Sequence, residues 1–227
     1  MLVRDWMTRN VISLGVNSSI LDAAEILREK NIRQFPVIDS EGRLVGIVSD
    51  RDVRDAMPSK FVPGDGAVDL KSGLYTLTAG DVMTLDPIVV ASDTAMDLVA
   101  ELIVKHKIGG IPVVDGGTLS GIITQADVMR FLCTATGCHR GGIQFAVRLP
   151  AKPGPLAELL RDVKNQNLAF SSVFTSADVE RPGFRHAYVR VSDIGDQRVD
   201  KVVEALQAKY DLMYYVYEGV TVDLSDS

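Results

Sequence analysis

FPVIDSEGRLVGIVSDRDV, residues 35–53, and IPVVDGGTLSGIITQADV, residues 111–128, follow one pattern. Each opens on an apolar residue, Pro and Val, and then turns through an acidic, glycine-bearing stretch. Each resumes as an apolar run around a glycine and closes on a hydroxyl residue three before an aspartate. Pro36 and Pro112 stand 76 apart, and Asp52 and Asp127 stand 75 apart, one residue being lost in the shorter turn Asp115-Gly116-Gly117. The likeness continues upstream, where DWMTRNVISL at 5–14 matches DVMTLDPIVV at 81–90. An internal repeat of this kind implies two equivalent units that bury a shared core.

Working outward, Ile20, Ala23, Ala24 and Leu27 recur at helical spacing, so Ser19–Lys30 reads as an amphipathic helix with Ser18 or Ser19 as its cap. Phe35–Ile38 reads as a strand and Asp39-Ser40-Glu41-Gly42 as a turn. Leu44–Val48 is a continuous apolar run, expected as a strand buried on both faces. In the second repeat the helix carries Ala95, Leu98, Val99, Leu102 and Ile103, and the strands are Ile111–Val114 and Leu119–Ile123. Each repeat therefore reads βαββα. A unit that small buries too little surface to stand alone, so the two sheets are expected to pack together. Residues 58–78, with Pro58, Pro63, Gly64, Gly66 and Gly73, connect them.

Ser49…Asp52 and Thr124…Asp127 open the last helix of each repeat and admit two readings. One is a capping box, in which hydroxyl and carboxylate satisfy the free N–H groups of the first turn. The other is a ligand site, because a helix start also suits a phosphate. The two copies differ inside the motif, Asp50-Arg51 against Gln125-Ala126, and at the strand entry, Arg33-Gln34 against Gly109-Gly110. The glycines would let a ligand approach the backbone.

After the linker Thr136–Gly142, Phe145–Leu149 alternates as a half-buried strand and Pro153-Gly154-Pro155 breaks it. Leu156, Leu159, Leu160 and Val163 give a helix stripe. Ala169–Ser176 and His186–Val191 read as strands, Val199, Val202, Val203 and Leu206 as a second helix stripe, and Leu212–Tyr217 as a last strand. The order is βαββαβ, the ferredoxin-like arrangement.

Composition bounds the function. The 227 residues carry a net charge of −6. Residues 1–135 hold 13 basic and 18 acidic side chains, and 141–227 hold 10 and 12, so neither part has the basic excess that nucleic-acid binding needs. No apolar run reaches the roughly 18 residues of a membrane helix. MLVRDWMTRN lacks the apolar core of a signal peptide. With only two cysteines, Cys133 and Cys138, a disulfide framework is not expected and a cytoplasmic setting is. Those cysteines and His139 supply at most three soft ligands, so no metal site is expected. The chain has no G-x-x-x-x-G-K-S/T loop, no G-x-G-x-x-G after a strand and no G-x-S-x-G elbow. His106, His139 and His186 lie in separate segments, so an enzyme is not expected.

The run of apolar-Pro-Val, Gly-Ile-Val/Ile and Ser/Thr-x-x-Asp resembles the CBS motif, and its two copies resemble a CBS pair, or Bateman module. The resemblance covers about residues 1–135. It implies adenosine-containing ligands in clefts between the motifs, with the Asp accepting from ribose hydroxyls and the Ser/Thr near ribose and phosphate. On this basis the first site is expected from Thr8, Val11, Ile12, Arg33, Ser49, Arg51 and Asp52. The second is expected from Thr84, Pro87, Ile88, Gly109, Gly110, Thr124 and Asp127. AMP, ADP or ATP is the expected ligand, with NADH or S-adenosylmethionine as alternatives and the more highly phosphorylated nucleotide assigned to the first site.

Strand, Lys152-Pro153-Gly154-x-Leu156 and helix resemble the opening of an ACT domain. Ala151 and Ala169 stand where that family often has polar groups for an amino acid, which points to dimerisation or relay rather than amino-acid sensing. A CBS pair followed by an ACT domain resembles the acetoin-utilisation AcuB-type proteins of bacteria. The fold class expected is thus α+β. The organisation is CBS motif 1 at 1–57, a connector at 58–78, CBS motif 2 at 79–135, a linker at 136–142, an ACT domain at 143–218 and a tail at 219–227. The function expected is a non-enzymatic sensor of adenine nucleotide in carbon metabolism, a homodimer acting on a regulated enzyme or transporter, with an interaction scaffold of empty clefts or an amino-acid sensor as alternatives.

Overall fold

The computed structural model describes residues 1–56, 77–192 and 196–224, the first three of the last stretch by backbone only. The chain divides into two compact units, residues 1–129 and 130–227. Most of the expected connector 58–78 lies outside the described residues.

In the first unit, β1 (Leu14–Gly15) leads into α1 (Ile20–Lys30). Ser19 is its N-cap and accepts from the Asp22 N–H at 3.5 Å. Asn31 ends the helix in the left-handed conformation, φ 50°. A hairpin follows, β2 (Gln34–Ile38) and β3 (Leu44–Ser49), and then α2 (Asp50–Ala56). The second repeat begins with α3 (Ala79–Val82) and β4 (Thr84–Leu85). It continues through α4 (Met96–His106), β5 (Gly110–Asp115), β6 (Thr118–Thr124) and α5 (Gln125–Thr136). Lys107 ends α4 as Asn31 ends α1, in the left-handed region at φ 56°. The inward stripes are Ile20, Ala23 and Leu27 on α1, and Met96, Val99 and Ile103 on α4.

Each repeat keeps the strand just before its first helix: β1 pairs parallel with β2, and Val90 bridges parallel to Val113 on β5. The segment ahead of that strand crosses. β4, from the second repeat, pairs antiparallel with β3 of the first, Ile47 opposite Thr84 and Gly46 opposite Leu85. Reciprocally, Thr8 bridges to Ile122 on β6 through two backbone hydrogen bonds of 2.9 Å. The turns before these segments cross as well. Val3 and Arg4 donate to the carbonyls of Thr94 and Ser92, and Ala79 and Gly80 donate to those of Ser18 and Val16.

Glycine makes the exchange possible. A Cβ on Gly121 would lie 2.7 Å from Met7 Sδ and 2.9 Å from the Thr8 carbonyl oxygen. One on Gly46 would lie 2.5 Å from Met83 Sδ and 3.0 Å from the Thr84 carbonyl oxygen. Met can move aside, but the backbone at Thr8 cannot do so without breaking its bridge. Gly121→Ala is therefore expected to destabilise the chain by about 1–3 kcal/mol, as overpacking does. Urea denaturation read by far-UV circular dichroism measures this, and a loss below about 0.5 kcal/mol contradicts the exchange as the reason for the glycine.

One expectation is corrected, and it concerns β3. It is not buried on both faces: Gly46 and Val48 are buried, while Ile47 is half-buried because it lines a cavity described below. The inner face of this half packs Leu14, Ile20, Phe35, Val37, Val48 and Val53 together, with Ala79 contributed by the other repeat.

The second unit carries β7 (Ile143–Pro150), α6 (Pro155–Asn165), β8 (Phe170–Ala177), β9 (Phe184–Val191), α7 (Asp196–Gln207), β10 (Asp211–Tyr217) and β11 (Val220–Asp223). The order is βαββαβ followed by one further strand, within the expected tail. The strands form one antiparallel sheet in the order β11-β10-β7-β9-β8. Pro155 sits at the first helical position of α6, where its missing N–H costs nothing. Ile143, Phe145, Val147 and Leu149 on β7 meet Leu159 and Val163 of α6 and Val202, Val203 and Leu206 of α7. Both helices thus cover the same face of the sheet.

Candidate functional site

Within the first unit, a cavity of about 650 Å³ lies between the two repeats, a size typical of small-molecule sites. One wall comes from the first repeat: Arg33 and Gln34 at the entry to β2, Ile47 and Ser49 on β3, and Asp50, Arg51 and Asp52 on α2. The other comes from the second: Thr84 on β4, Asp86, Pro87 and Ile88 after it, and His106 to Gly110 between α4 and β5. Pro112 and Gln125 complete the lining.

This grouping crosses the two sites expected from sequence. Arg33, Ser49, Arg51 and Asp52 line the cavity as one set, but they share it with Thr84, Pro87, Ile88, Gly109 and Gly110. Thr8, Val11, Ile12, Thr124 and Asp127 do not line it. The reason is the exchanged strand. β4 lies beside β3, so the chain after Met83 meets the Ser49–Asp52 corner, and the chain after Met7 runs beside β6 toward Thr124. The two glycines inside apolar strands, Gly46 and Gly121, were the sequence signal for it.

The Ser49–Asp52 corner closes as a capping box, and the Thr124–Asp127 corner shows the carboxylate half of one. Asp52 Oδ2 accepts from the Ser49 N–H and hydroxyl, both at 2.7 Å, and Ser49 Oγ accepts from the Asp52 N–H at 3.3 Å. Asp127 Oδ2 accepts from the Thr124 N–H at 2.8 Å and hydroxyl at 2.7 Å. Their surroundings differ. Asp127 is 2% exposed, whereas Asp52 is half-buried at the cavity wall. In Asp52 a single oxygen makes the cap, and Oδ1 has no hydrogen bond among the described residues.

The cavity's charges are mixed. Arg54 pairs with Asp50 at 3.0 Å. Arg33, Arg51 and Lys107 form no ion pair among the described residues. Asp52 and Asp86 line the cleft without an ion pair among the described residues too, so its cations exceed its free carboxylates by one, a balance that suits an anionic ligand. Among the described residues no group of three His, Cys, Asp or Glu is placed to hold a metal ion.

A family model for the CBS domain matches residues 3–59 and 79–134. The crystal structure of the CBS-pair protein CBSX2 from Arabidopsis thaliana is 35% identical, covering 58% of this chain and 93% of that one, with a TM-score of 0.50. The chain belongs to the CBS domain family. A CBS domain-containing protein of Dictyostelium discoideum is 29% identical over 132 residues, 58% of this chain and 90% of that protein. An L-aspartate semialdehyde sulfurtransferase of Methanocaldococcus jannaschii is 32% identical over 130 residues, 57% of this chain, but the chain spans 23% of that enzyme. CBS pairs are in general regulatory rather than catalytic, and in such an enzyme the CBS pair is one part of a longer chain. In this chain the CBS pair is residues 3–134, and the cavity lies at the seam of its two motifs.

Beyond the CBS pair, the second unit holds an ionic cluster around a buried aspartate. Asp178, 6% exposed, accepts from Arg148 Nε at 2.9 Å and from the N–H groups of Glu180 and Arg181 at 3.0 Å. His186 Nε2 lies 3.0 Å from the same carboxylate, and Arg148 also bonds Asp211 at 3.0 Å. Burial pushes the Asp178 carboxyl up, but the Arg181 N–H, Arg148 and the Glu180 N–H outweigh it and hold it below the ordinary aspartate value. The cluster ties β7, β9 and β10 to the end of β8. No helix among the described residues is long and apolar enough to cross a membrane.

Proposed function

We propose that this chain is a regulatory sensor that holds one adenosine-containing nucleotide in the cleft between Asp52 and the Thr84–Ile88 segment. The observation that carries this is the cavity of about 650 Å³, bordered by the Asp52 carboxylate and by Arg33, Arg51 and Lys107, which form no ion pair among the described residues. The carboxylate suits ribose hydroxyls, Ile47, Pro87 and Ile88 supply apolar surface for a purine, and the cations suit phosphate. AMP, ADP or ATP is the ligand class, and the cations favour ADP or ATP. The second corner, with Asp127 enclosed, is read as a cap only, so one nucleotide binds per chain.

The second unit is proposed as an ACT-type module that pairs two copies or relays the nucleotide signal. The βαββαβ order and the sheet order β10-β7-β9-β8 support this reading. Ala151 and Ala169 argue against an amino-acid ligand. The succession of CBS pair and ACT-type module supports a cytoplasmic role in carbon metabolism, through an enzyme or transporter partner.

A thermal-shift series with AMP, ADP, ATP, NADH and S-adenosylmethionine tests the reading. A ligand at one hundred times its Kd is expected to add about 2.7 kcal/mol of stability. No shift with any of the five at millimolar concentration leaves an interaction scaffold instead.

A further inference from the structure

Gln34 and Gly110 occupy equivalent places in the two repeats, each opening the first strand of its hairpin. The side chain of one lies in the space that the other leaves empty. A Cβ on Gly110 would sit 1.9 Å from Gln34 Nε2 and 3.1 Å from its Cδ. The amide therefore crosses the seam between the motifs and lies against Gly109-Gly110, at the wall of the cavity. Its Nε2 is buried and has no hydrogen-bond partner among the described residues. The Ile123 carbonyl oxygen borders the same spot, 2.9 Å from that Cβ position, yet it does not serve as a partner for Nε2.

A buried donor without an acceptor is costly, and such groups call for an explanation. Here the amide could have been avoided. A methionine or leucine at this place would fill the space over Gly110 with no polar atom to satisfy. We infer that Gln34 reads the ligand: its Nε2 donates to an acceptor atom of the nucleotide held in this cleft. The inference rests on the function proposed above and assigns to that cleft one specific donor, supplied by the first repeat across the seam. The acceptor is a ring nitrogen of the base or an oxygen of the phosphate.

The experiment uses the full chain with AMP and adenosine as probes, by calorimetry, together with the melting temperature of each ligand-free variant. Gln34→Met is expected to raise the ligand-free melting temperature by roughly 2–4 °C, as relief of about one unmade hydrogen bond would in a chain of this size. It is expected to weaken AMP binding by about tenfold, as loss of a ligand hydrogen bond does. Gln34→Glu, which replaces the donor with an acceptor, weakens binding at least as much without the gain in melting temperature. A loss confined to AMP places the acceptor on the phosphate, and a loss shared by adenosine places it on the base; both support the assignment. Affinities within twofold of the wild type in both variants overturn it. Failure of the wild type to bind either probe overturns the proposed function, and this assignment with it.

Discussion

Asp52→Ala is expected to weaken nucleotide binding by about one to two decades, while Asp127→Ala leaves it within about threefold. Hydrogen bonds to a charged group contribute roughly 1.5–3 kcal/mol, which corresponds to that loss. The two substitutions make a matched pair because each removes the acidic half of a capping box with nearly the same geometry, 2.7 Å to the Ser49 hydroxyl and 2.7 Å to the Thr124 hydroxyl. Each should therefore cost about 0.5–2 kcal/mol of stability. What separates them is access. Asp52 borders a cavity of about 650 Å³, and Asp127 is 2% exposed. Calorimetric titration with ADP well below each variant's melting temperature separates affinity from stability. Equal losses in the two variants would show that both corners hold nucleotide and that the one-site reading is wrong.

Phe145→Ala is expected to cost the second unit about 3–5 kcal/mol, from lost burial plus the cavity left behind. Phe145 is fully buried on β7, the middle strand of the sheet order β11-β10-β7-β9-β8. It stands opposite Val189 on β9 and Tyr215 on β10, within the cluster that joins both helices to the sheet. Total stability of a domain is about 5–15 kcal/mol, so one substitution removes a large share. Phe174→Ala is the control. That ring is 36% exposed and stacks on Tyr188 at 4.7 Å, so its loss should cost about 0.5–1.5 kcal/mol. Urea titration followed by far-UV circular dichroism reads the difference. Trp6, the single tryptophan, lies in the first unit and reports that unit separately by fluorescence. A shift for Phe145→Ala below about 1 kcal/mol would mean that this face of the sheet is not the core.

Features that depend on near neighbours were legible. The spacing of Ile20, Ala23 and Leu27 places α1, and Ser19 caps it where the chain offers a hydroxyl. The corners Ser49…Asp52 and Thr124…Asp127 are three-residue relations, so the bonds that close them were readable too. The apolar run at 44–48 misled, because composition does not say what covers a face. Ile47 is apolar and borders the cavity, whereas Val48 beside it is buried.

The amino-acid sequence by itself determined that this protein is a duplication, where its helices and hairpins lie, and which corners carry an aspartate. Only the tertiary structure decided which halves meet. A strand's hydrogen-bonding edges are the same backbone whatever its side chains, so its own residues cannot name the strand that it will join. β4 could have stayed with the repeat that encodes it. It crosses instead, because Gly46 leaves room for Met83, just as Gly121 does for Met7. That crossing brings Asp52 together with Thr84, Pro87 and Ile88, lays Gln34 over Gly110, and makes one cleft from residues of both repeats.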